Sequence, residues 1–215
     1  MFDHSKLQAV KEKIVPQDDA LLGRDDVMQI TAVHAVNNEN MNRVLAQNEE
    51  RIILGMGCFW GAERKLWNTL GVIVTSVGYA GGYTKNPTYD EVCSGATGHA
   101  EVVNVIFDTE KTDLESILKV FWENHNPAQG MKQGNDVGTQ YRSAIYITDE
   151  AQKDIVEKSL QTYQERLAVS GFGQITTDCA VLGTYYFAEE YHQQYLHKNV
   201  NGYCGLKGTG VACTI

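Results

Sequence analysis

The stretch GMGCFWGAE, residues 55–63, places a single thiol, Cys58, just after two closely spaced glycines. A cysteine becomes a nucleophile when its thiol ionises. We expect Cys58 where a strand gives way to a helix, because the free N–H groups and dipole of a helix start favour the thiolate. Gly55 and Gly57 leave room for a tight turn and for close approach by another part of the chain. The stretch therefore predicts a reactive thiol on a rigid element.

Two large aromatic residues, Phe59 and Trp60, follow the thiol directly. Neighbours on a helix point about 100° apart, so both rings cannot face the same core. We expect one ring to be buried and the other to line the site as an apolar wall. The alternative is a core thiol with two packing rings, since free cysteine is commonly buried. The adjacent glycines and the predicted helix start favour the reactive thiol.

An acidic residue, Glu101, occurs in the apolar stretch 99–108. In a strand it would share a face with Val103 and Val105. Burial on that face would raise the pKa of the carboxyl group, which could then donate a proton near neutral pH. Strand position alone favours the alternative, a strand-end glutamate that reaches solvent past His99.

Three further polar residues are candidates for the same site. Tyr89 lies in a glycine-rich loop and Tyr141 at a strand start, and either could offer a hydroxyl group to a substrate oxygen. The ordinary alternative is half-buried aromatic packing. Asp136 lies in a loop, where an aspartate commonly only turns the chain.

The chain has five cysteines with wide spacings. An odd number at such spacings does not suit a secreted disulfide scaffold. Cys93 and Cys179 lack helpful neighbours and are interpreted as inert, with Cys179 inside an apolar strand. Cys204 and Cys213 lie in a tail with four glycines, which we expect to be mobile because glycine loses much entropy on ordering.

Those two tail cysteines, with His192 and His197, raise the possibility of a zinc site. Neither cysteine belongs to a C-x2-C pair, and the glycines would leave the ligands loose. We therefore expect no metal.

Length and charge limit the class of protein. The 215 residues suit one domain, and a net charge of −9 argues against nucleic acid or an anionic membrane as partner. No apolar run approaches membrane-spanning length, and charges stand where a secretory signal would need an apolar stretch. We expect a soluble, cytoplasmic monomer.

The elements that must position these residues follow the order β-α-β-β-α-β. Periodicity predicts strands at 51–56, 72–80, 99–108 and 140–148, helices at 59–70, 113–124, 150–168 and 188–198, and a possible further strand at 174–182. Gly71 is predicted to end the first helix, residues 112–115 to form a capping box, and Ala151 to face inward.

This order predicts an α+β fold, a two-layer sandwich with a ferredoxin-like βαββαβ core. We expect residues 1–48 to form an N-terminal arm of short helical pieces packed over the main body. Residues 49–198 would form the catalytic domain and residues 199–215 the glycine-rich C-terminal tail.

Four motifs resemble those of the A-type peptide methionine sulfoxide reductases. They occur in the family's order, and the resemblance covers roughly residues 48–215; the motifs are GCFWGAE at 57–63, TGHAEVV at 97–103, GNDVGTQYRS at 134–143 and NGYCG at 201–205. The first and third are highly specific together.

The resemblance implies a mechanism. Cys58 would attack the sulfur of a methionine S-sulfoxide and become a sulfenic acid, while methionine leaves. The other implied roles are protonation of the sulfoxide oxygen by Glu101, binding of that oxygen by Tyr89 and Tyr141, polar support from Asp136, and binding of the ε-methyl group by Phe59 and Trp60.

The resemblance also implies how the thiol is regenerated. Cys204 would form a disulfide with Cys58, and Cys213 would take over that disulfide and present it to thioredoxin. The implied partners are oxidised proteins or peptides and thioredoxin, without a bound cofactor. Two alternatives stay open: a thiol peroxidase, which needs no methyl-binding rings, and a thiol-based or zinc-stabilised binding module without turnover.

Overall fold

The computed structural model describes residues 12–215. Its strands are Glu49–Met56 (β1), Val72–Ala80 (β2), Ala100–Asp108 (β3), Lys132–Gln133 (β4), Asp136–Val137 (β5), Ser143–Ile147 (β6), Asp178–Val181 (β7) and Tyr186–Phe187 (β8). Its α-helices are Phe59–Trp67 (α1), Tyr89–Ser94 (α2), Leu114–Asn124 (α3), Lys153–Val169 (α4) and Tyr195–Lys198 (α5).

Six strands form one sheet in the order β7-β6-β1-β3-β2-β8. All neighbours are antiparallel except β6 and β7. The centre of the sheet is fully enclosed, since every residue of β3 is buried. The predicted α+β class is confirmed, and the description of the core as ferredoxin-like stays an interpretation of this strand order.

The two faces of the sheet are covered differently. Helices α1, α3 and α4 pack over one face, which contains Ile52, Val103 and Phe107. On the other face Tyr185 covers a second apolar cluster, and the N-terminal segment buries Met41 against Val74 and Ile106. The described part of the predicted arm therefore packs over the sheet. Residues 1–11 lie outside the described part of the chain.

The end of α1 and the start of α3 differ from the prediction, because side-chain hydrogen bonds fix both positions. Helix α1 ends at Trp67, because Asn68 takes the next position and its amide donates to the Arg64 carbonyl at 2.7 Å. Gly71 lies beyond it with φ +82° and turns the chain into β2. The predicted box at 112–115 is wrong: Asp113 caps α3, with Oδ1 accepting from Ser116 N–H at 2.8 Å.

Two short segments depart from the predicted pattern. The glycine-rich loop contains α2, which hydrophobic periodicity misses since only Val92 is buried; a Thr88–Glu91 capping box starts it instead. Most of the predicted helix 188–198 runs in turns, and only α5 is helical. Ala151 is exposed, because it lies in the 3-10 turn before α4.

The tail, residues 199–215, carries no helix or strand. Its two cysteines lie in opposite environments: Cys204 is exposed, and Cys213 is 3% exposed. The Cys213 N–H donates to Glu123 at 2.8 Å, and Lys119 Nζ donates to the Cys213 carbonyl at 2.6 Å. Across residues 12–215, no helix has both the length and the apolar character needed to cross a membrane.

Candidate active site

The thiol of Cys58 lies at the first turn of α1, directly after β1, as predicted. The turn depends on Gly57, whose φ of +88° suits glycine. A Cβ atom at this position would lie 2.5 Å from Cβ of Gln133, so a larger residue is excluded. Gly55 instead lies within β1, where it pairs with Ala144.

The pKa of Cys58 contradicts the expectation of an acidified thiol. Burial raises the pKa well above its usual range, and the nearby carboxylate of Glu101 raises it further. The backbone N–H groups of Trp60 and Gly61 act in the opposite direction and do not compensate. The helix start is present, but desolvation outweighs it, and the resting thiol is protonated.

Glu101 is buried beside that thiol, so the solvent-facing alternative is wrong. It is 1% exposed, and its Oε2 accepts a hydrogen bond from Phe59 N–H at 3.0 Å. Burial raises the pKa of its carboxyl group to about 8, although the Phe59 hydrogen bond lowers it. Near pH 7 Glu101 is therefore mainly a neutral acid.

Tyr89 and Tyr141 both lie within electrostatic range of the Glu101 carboxyl group. Tyr89 is the first residue of α2, and Tyr141 lies in a 3-10 turn just before β6. Burial, followed by the negative charge of Glu101, raises the pKa of each phenol. Both hydroxyl groups are thus available as hydrogen-bond donors at neutral pH.

Asp136 links this group to the tail. Its charge raises the pKa of Cys58 and Glu101, and burial raises its own pKa. Tyr203 OH donates to the two carboxylate oxygens of Asp136 at 3.4 Å each. Tyr203, the tail residue before Cys204, is therefore hydrogen-bonded to the candidate site.

The two tail cysteines occupy different places. A Cβ atom on Gly61 would lie 3.1 Å from Sγ of Cys204, so Cys204 lies against the first turn of α1. Cys213 is buried against α3. Of the two tail cysteines, Cys204 is therefore the one that lies in the region of Cys58.

The aromatic residues divide as predicted, with Phe59 buried and Trp60 half-buried. Trp60 stacks on Tyr195 with ring centroids 3.9 Å apart and an interplanar angle of 18°. Its Nε1 donates a hydrogen bond of 3.0 Å to Nδ1 of His192. The indole is fixed by one stacking contact and one hydrogen bond.

His192 has a place in the site that sequence reasoning missed. Its ring also lies 5.0 Å from Phe59 and 4.5 Å from Tyr89. Burial lowers its pKa to about 4, so it is neutral, and because Nδ1 accepts from Trp60 the proton lies on Nε2. Sequence reasoning placed His192 only in the zinc alternative, and nothing in its spacing indicates the contact with Trp60.

Glu189 is a second residue that the sequence did not single out. Its Oε1 accepts from Tyr89 N–H at 2.8 Å, and its Oε2 accepts from Tyr79 OH at 2.9 Å. It therefore holds the start of α2, and with it the Tyr89 side chain, against the sheet.

The two remaining cysteines lie in different surroundings, and their interpretation as inert thiols stays a prediction. Cys93 is half-buried and hydrogen-bonded to Tyr89, so it has a neighbour in the site. Cys179 is exposed on the edge strand β7 rather than enclosed in an apolar strand. Within residues 12–215, no group of three or more His, Cys, Asp or Glu residues is arranged to hold a metal ion.

The sequence model of a known family matches most of this chain. The family is described as peptide methionine sulfoxide reductase, and the match spans residues 50–212. A relative named peptide methionine sulfoxide reductase MsrA, from Vibrio parahaemolyticus, is 55% identical over 201 residues, covering 94% of this chain and 95% of the relative. One of the same name from Pseudomonas aeruginosa is 53% identical over 211 residues, covering 98% of each chain.

Solved structures agree with this match. Methionine sulfoxide reductase A of Corynebacterium diphtheriae superposes with a TM-score of 0.85 at 43% identity, covering 94% of this chain and 99% of the other. Mxr1 from Saccharomyces cerevisiae in reduced form gives a TM-score of 0.69 at 28% identity, covering 86% of this chain and all of the other.

Proposed function

The chain belongs to the peptide methionine sulfoxide reductase family and is an enzyme of that type, and from this premise we propose that Cys58 reduces the S epimer of methionine sulfoxide in proteins. The observation that carries the proposal is the buried Glu101, hydrogen-bonded to the backbone next to the thiol. A neutral carboxylic acid beside a thiol supplies the proton that sulfoxide reduction requires.

Substrate binding uses the aromatic residues and the two phenols. The half-buried ring of Trp60, together with Phe59, would bind the methyl group of the sulfoxide. The hydroxyl groups of Tyr89 and Tyr141 would donate hydrogen bonds to the sulfoxide oxygen, because both stay protonated beside Glu101. Asp136 would support this group through its charge and its bond to Tyr203.

The chemical step transfers one oxygen atom. The sulfur of Cys58 bonds to the sulfoxide sulfur while Glu101 protonates the oxygen, and the thiol proton restores the Glu101 carboxyl group. The hydroxyl group then moves to Cys58, giving a sulfenic acid and methionine. Cys58 is oxidised by two electrons and the sulfoxide is reduced by two. The raised pKa values of both groups keep the two protons in the resting site.

Regeneration uses the tail. The thiol of Cys204 condenses with the sulfenic acid, which releases water and forms the Cys58–Cys204 disulfide. Cys213 then attacks Cys204, frees Cys58 and gives a tail disulfide that thioredoxin reduces. The position of Cys204 against α1 supports the first exchange. The second requires residues 209–215 to leave α3, because Cys213 is buried there.

Two features favour this function over a thiol peroxidase. A peroxidase needs no wall for a methyl group, whereas Trp60 is held in place by His192 and Tyr195. The family match over residues 50–212 is to a sulfoxide reductase. We also propose a cytoplasmic location, because the odd number and wide spacing of the cysteines do not suit a secreted disulfide scaffold.

The test is reduction of separated S and R epimers of a methionine sulfoxide peptide, with thioredoxin as the reductant and Cys58→Ser as the inactive control. Mass spectrometry should show loss of one oxygen from the S epimer only. Consumption of hydrogen peroxide without loss of that oxygen would replace this function with the peroxidase alternative.

A further inference from the structure

One short segment, residues 189–195, contacts the Trp60 side chain and is called here the Trp60 turn. Within it His192 accepts the indole hydrogen bond, and the Tyr195 ring stacks on the indole. Gln193 fixes the turn to the sheet, since its amide bonds to both backbone groups of Val77. The position of Trp60 therefore depends on where this turn lies.

Gln194 ties the same turn to helix α1. Its backbone N–H donates to Oε2 of Glu63 at 2.9 Å, and its Nε2 donates to Oε1 of Glu63 at 2.8 Å. Gln194 has φ +47°, a conformation that costs free energy for a non-glycine residue and persists only where surrounding interactions hold it. The two hydrogen bonds from Gln194 to Glu63 offset that cost.

The N-terminal arm completes the connection. Ala35 N–H donates to Oε1 of Gln194 at 3.1 Å. The hydroxyl group of Thr75 donates to Glu63 at 3.1 Å and accepts from Nε2 of His34 at 3.1 Å. His34, Glu63 and Thr75 are all 0% exposed, so the network lies between the arm, the sheet and α1.

We infer that the arm segment 34–41 and the Glu63–Gln194 pair position Trp60, and so set the affinity for the methyl group of the sulfoxide. This inference depends on the proposed function, because it assumes that Trp60 binds that group. It gives the arm a role in substrate binding beyond covering the sheet.

The placement of the pair is what makes the role specific. Glu63 lies three residues after Trp60 on the same helix, so the two side chains start from neighbouring positions one turn apart. Gln194 lies two residues after His192 and directly before Tyr195. The bonds between Glu63 and Gln194 therefore set the separation between the helix that carries the indole and the turn that holds it.

The first test replaces Gln194 with methionine, which keeps the volume and removes the amide. Loss of the amide hydrogen bonds to Glu63 and from Ala35 is expected to raise KM for a methionine sulfoxide peptide about five- to thirty-fold. The value of kcat should change less than about two-fold, because the interaction lost is equally strong in the ground and transition states. An unchanged KM would overturn the inference.

A matched control is Gln152→Met. Gln152 is also buried, at 2% exposure, and its amide accepts from Thr148 N–H and donates to the Arg51 carbonyl, away from the Trp60 turn. It should lower the melting temperature to a similar degree and leave KM unchanged. A KM increase equal to that of Gln194→Met would assign the effect to general loosening.

A double-mutant cycle with Trp60→Ala separates this inference from the proposed function. If Gln194 acts through Trp60, Gln194→Met should raise KM less than about two-fold in the Trp60→Ala background. Independent, additive effects would overturn the inference alone. No KM increase from Trp60→Ala itself would instead overturn the proposed role of the indole.

A second variant covers the case in which Gln194→Met does not fold. Ala35 is the second residue of a turn closed by Asn38 N–H donating to the His34 carbonyl at 2.8 Å. Proline has no backbone N–H, so Ala35→Pro removes the hydrogen bond from Ala35 to Gln194. Ala35→Pro should raise KM in the same direction as Gln194→Met, by about two- to ten-fold for one lost bond. Unchanged KM in a folded Ala35→Pro protein would remove the arm from the inference.

Discussion

The backbone N–H of Phe59 donates a 3.0 Å hydrogen bond to Oε2 of Glu101. Since Phe59 directly follows Cys58, this bond fixes the carboxyl group relative to the thiol without a direct side-chain contact. It also explains why Glu101 keeps a pKa of only about 8 despite full burial, because the bond favours the charged form. The acid can therefore both give up and recover a proton near neutral pH.

Replacing the acid should slow the chemical step. In Glu101→Gln the side chain keeps its shape but has no proton to donate, so single-turnover reduction of a sulfoxide peptide should fall by about 10²–10⁴-fold. Stopped-flow mixing of reduced enzyme with peptide measures that rate. Alkylation of Cys58 at alkaline pH should become faster, because the carboxylate that raises the thiol pKa is gone. An unchanged reduction rate would remove Glu101 as the acid.

The same group should set the alkaline limit of the reaction. Glu101 is active when protonated and its pKa is about 8, so the rate of reduction should be full below that pH and should fall as pH rises through it. Single-turnover rates between pH 6 and about 10 measure this limit. The fall in rate at alkaline pH should disappear in Glu101→Gln. If the fall persists in that variant, a group other than Glu101 causes it.

The sequence predicts the elements around the thiol better than the electrostatics of the site. The first strand, the helix start at Cys58 and the division between Phe59 and Trp60 follow from local pattern. The thiol pKa does not, because desolvation depends on packing from elements far along the chain, such as β3 and the segment around Asp136. The solvent-facing alternative for Glu101 failed for the same reason.

The missed residues share a different cause. His192 and Gln194 act through hydrogen bonds to residues more than a hundred positions away. The segment that carries them runs in turns rather than in a helix, and Gln194 adopts a left-handed conformation directly before α5. Sequence pattern predicts a helix there because it counts apolar spacing and not the buried partners of the polar residues.

The turn before the thiol should tolerate no side chain. Gly57→Ala places a Cβ atom 2.5 Å from Cβ of Gln133 at φ +88°, which should lower the free energy of unfolding by about 1–3 kcal/mol. Urea denaturation measures the change. Gly173→Ala is the control, since that position has open space around it and no positive φ. Equal stability of the two variants would contradict the requirement for glycine at 57.

Removing the first tail thiol should separate reduction from regeneration. Cys204→Ser should reduce one equivalent of sulfoxide per enzyme and then stop, because the Cys58 sulfenic acid has no partner thiol. A sulfenic-acid probe followed by mass spectrometry should label Cys58. Cys179→Ser, which changes an exposed thiol on the edge strand, should turn over normally with thioredoxin. Continued turnover of Cys204→Ser would assign the resolving role to another cysteine.

The contact that buries Cys213 should control when this thiol becomes available. Glu123 accepts the Cys213 N–H at 2.8 Å and pairs with Lys119, which in turn donates to the Cys213 carbonyl. Glu123→Ala removes the hydrogen bond from Cys213 N–H and the ion pair that holds Lys119 beside the Cys213 carbonyl. Iodoacetamide should therefore alkylate Cys213 several-fold faster in the reduced enzyme, as expected if the tail is held to α3 by about 1 kcal/mol less. Peptide mapping by mass spectrometry gives the rate at each cysteine. Glu115→Ala, an exposed position on the same helix, is the control and should leave Cys213 protected. Equal alkylation in both variants would mean that apolar packing alone holds Cys213, and that its release must be caused by the disulfide exchange itself.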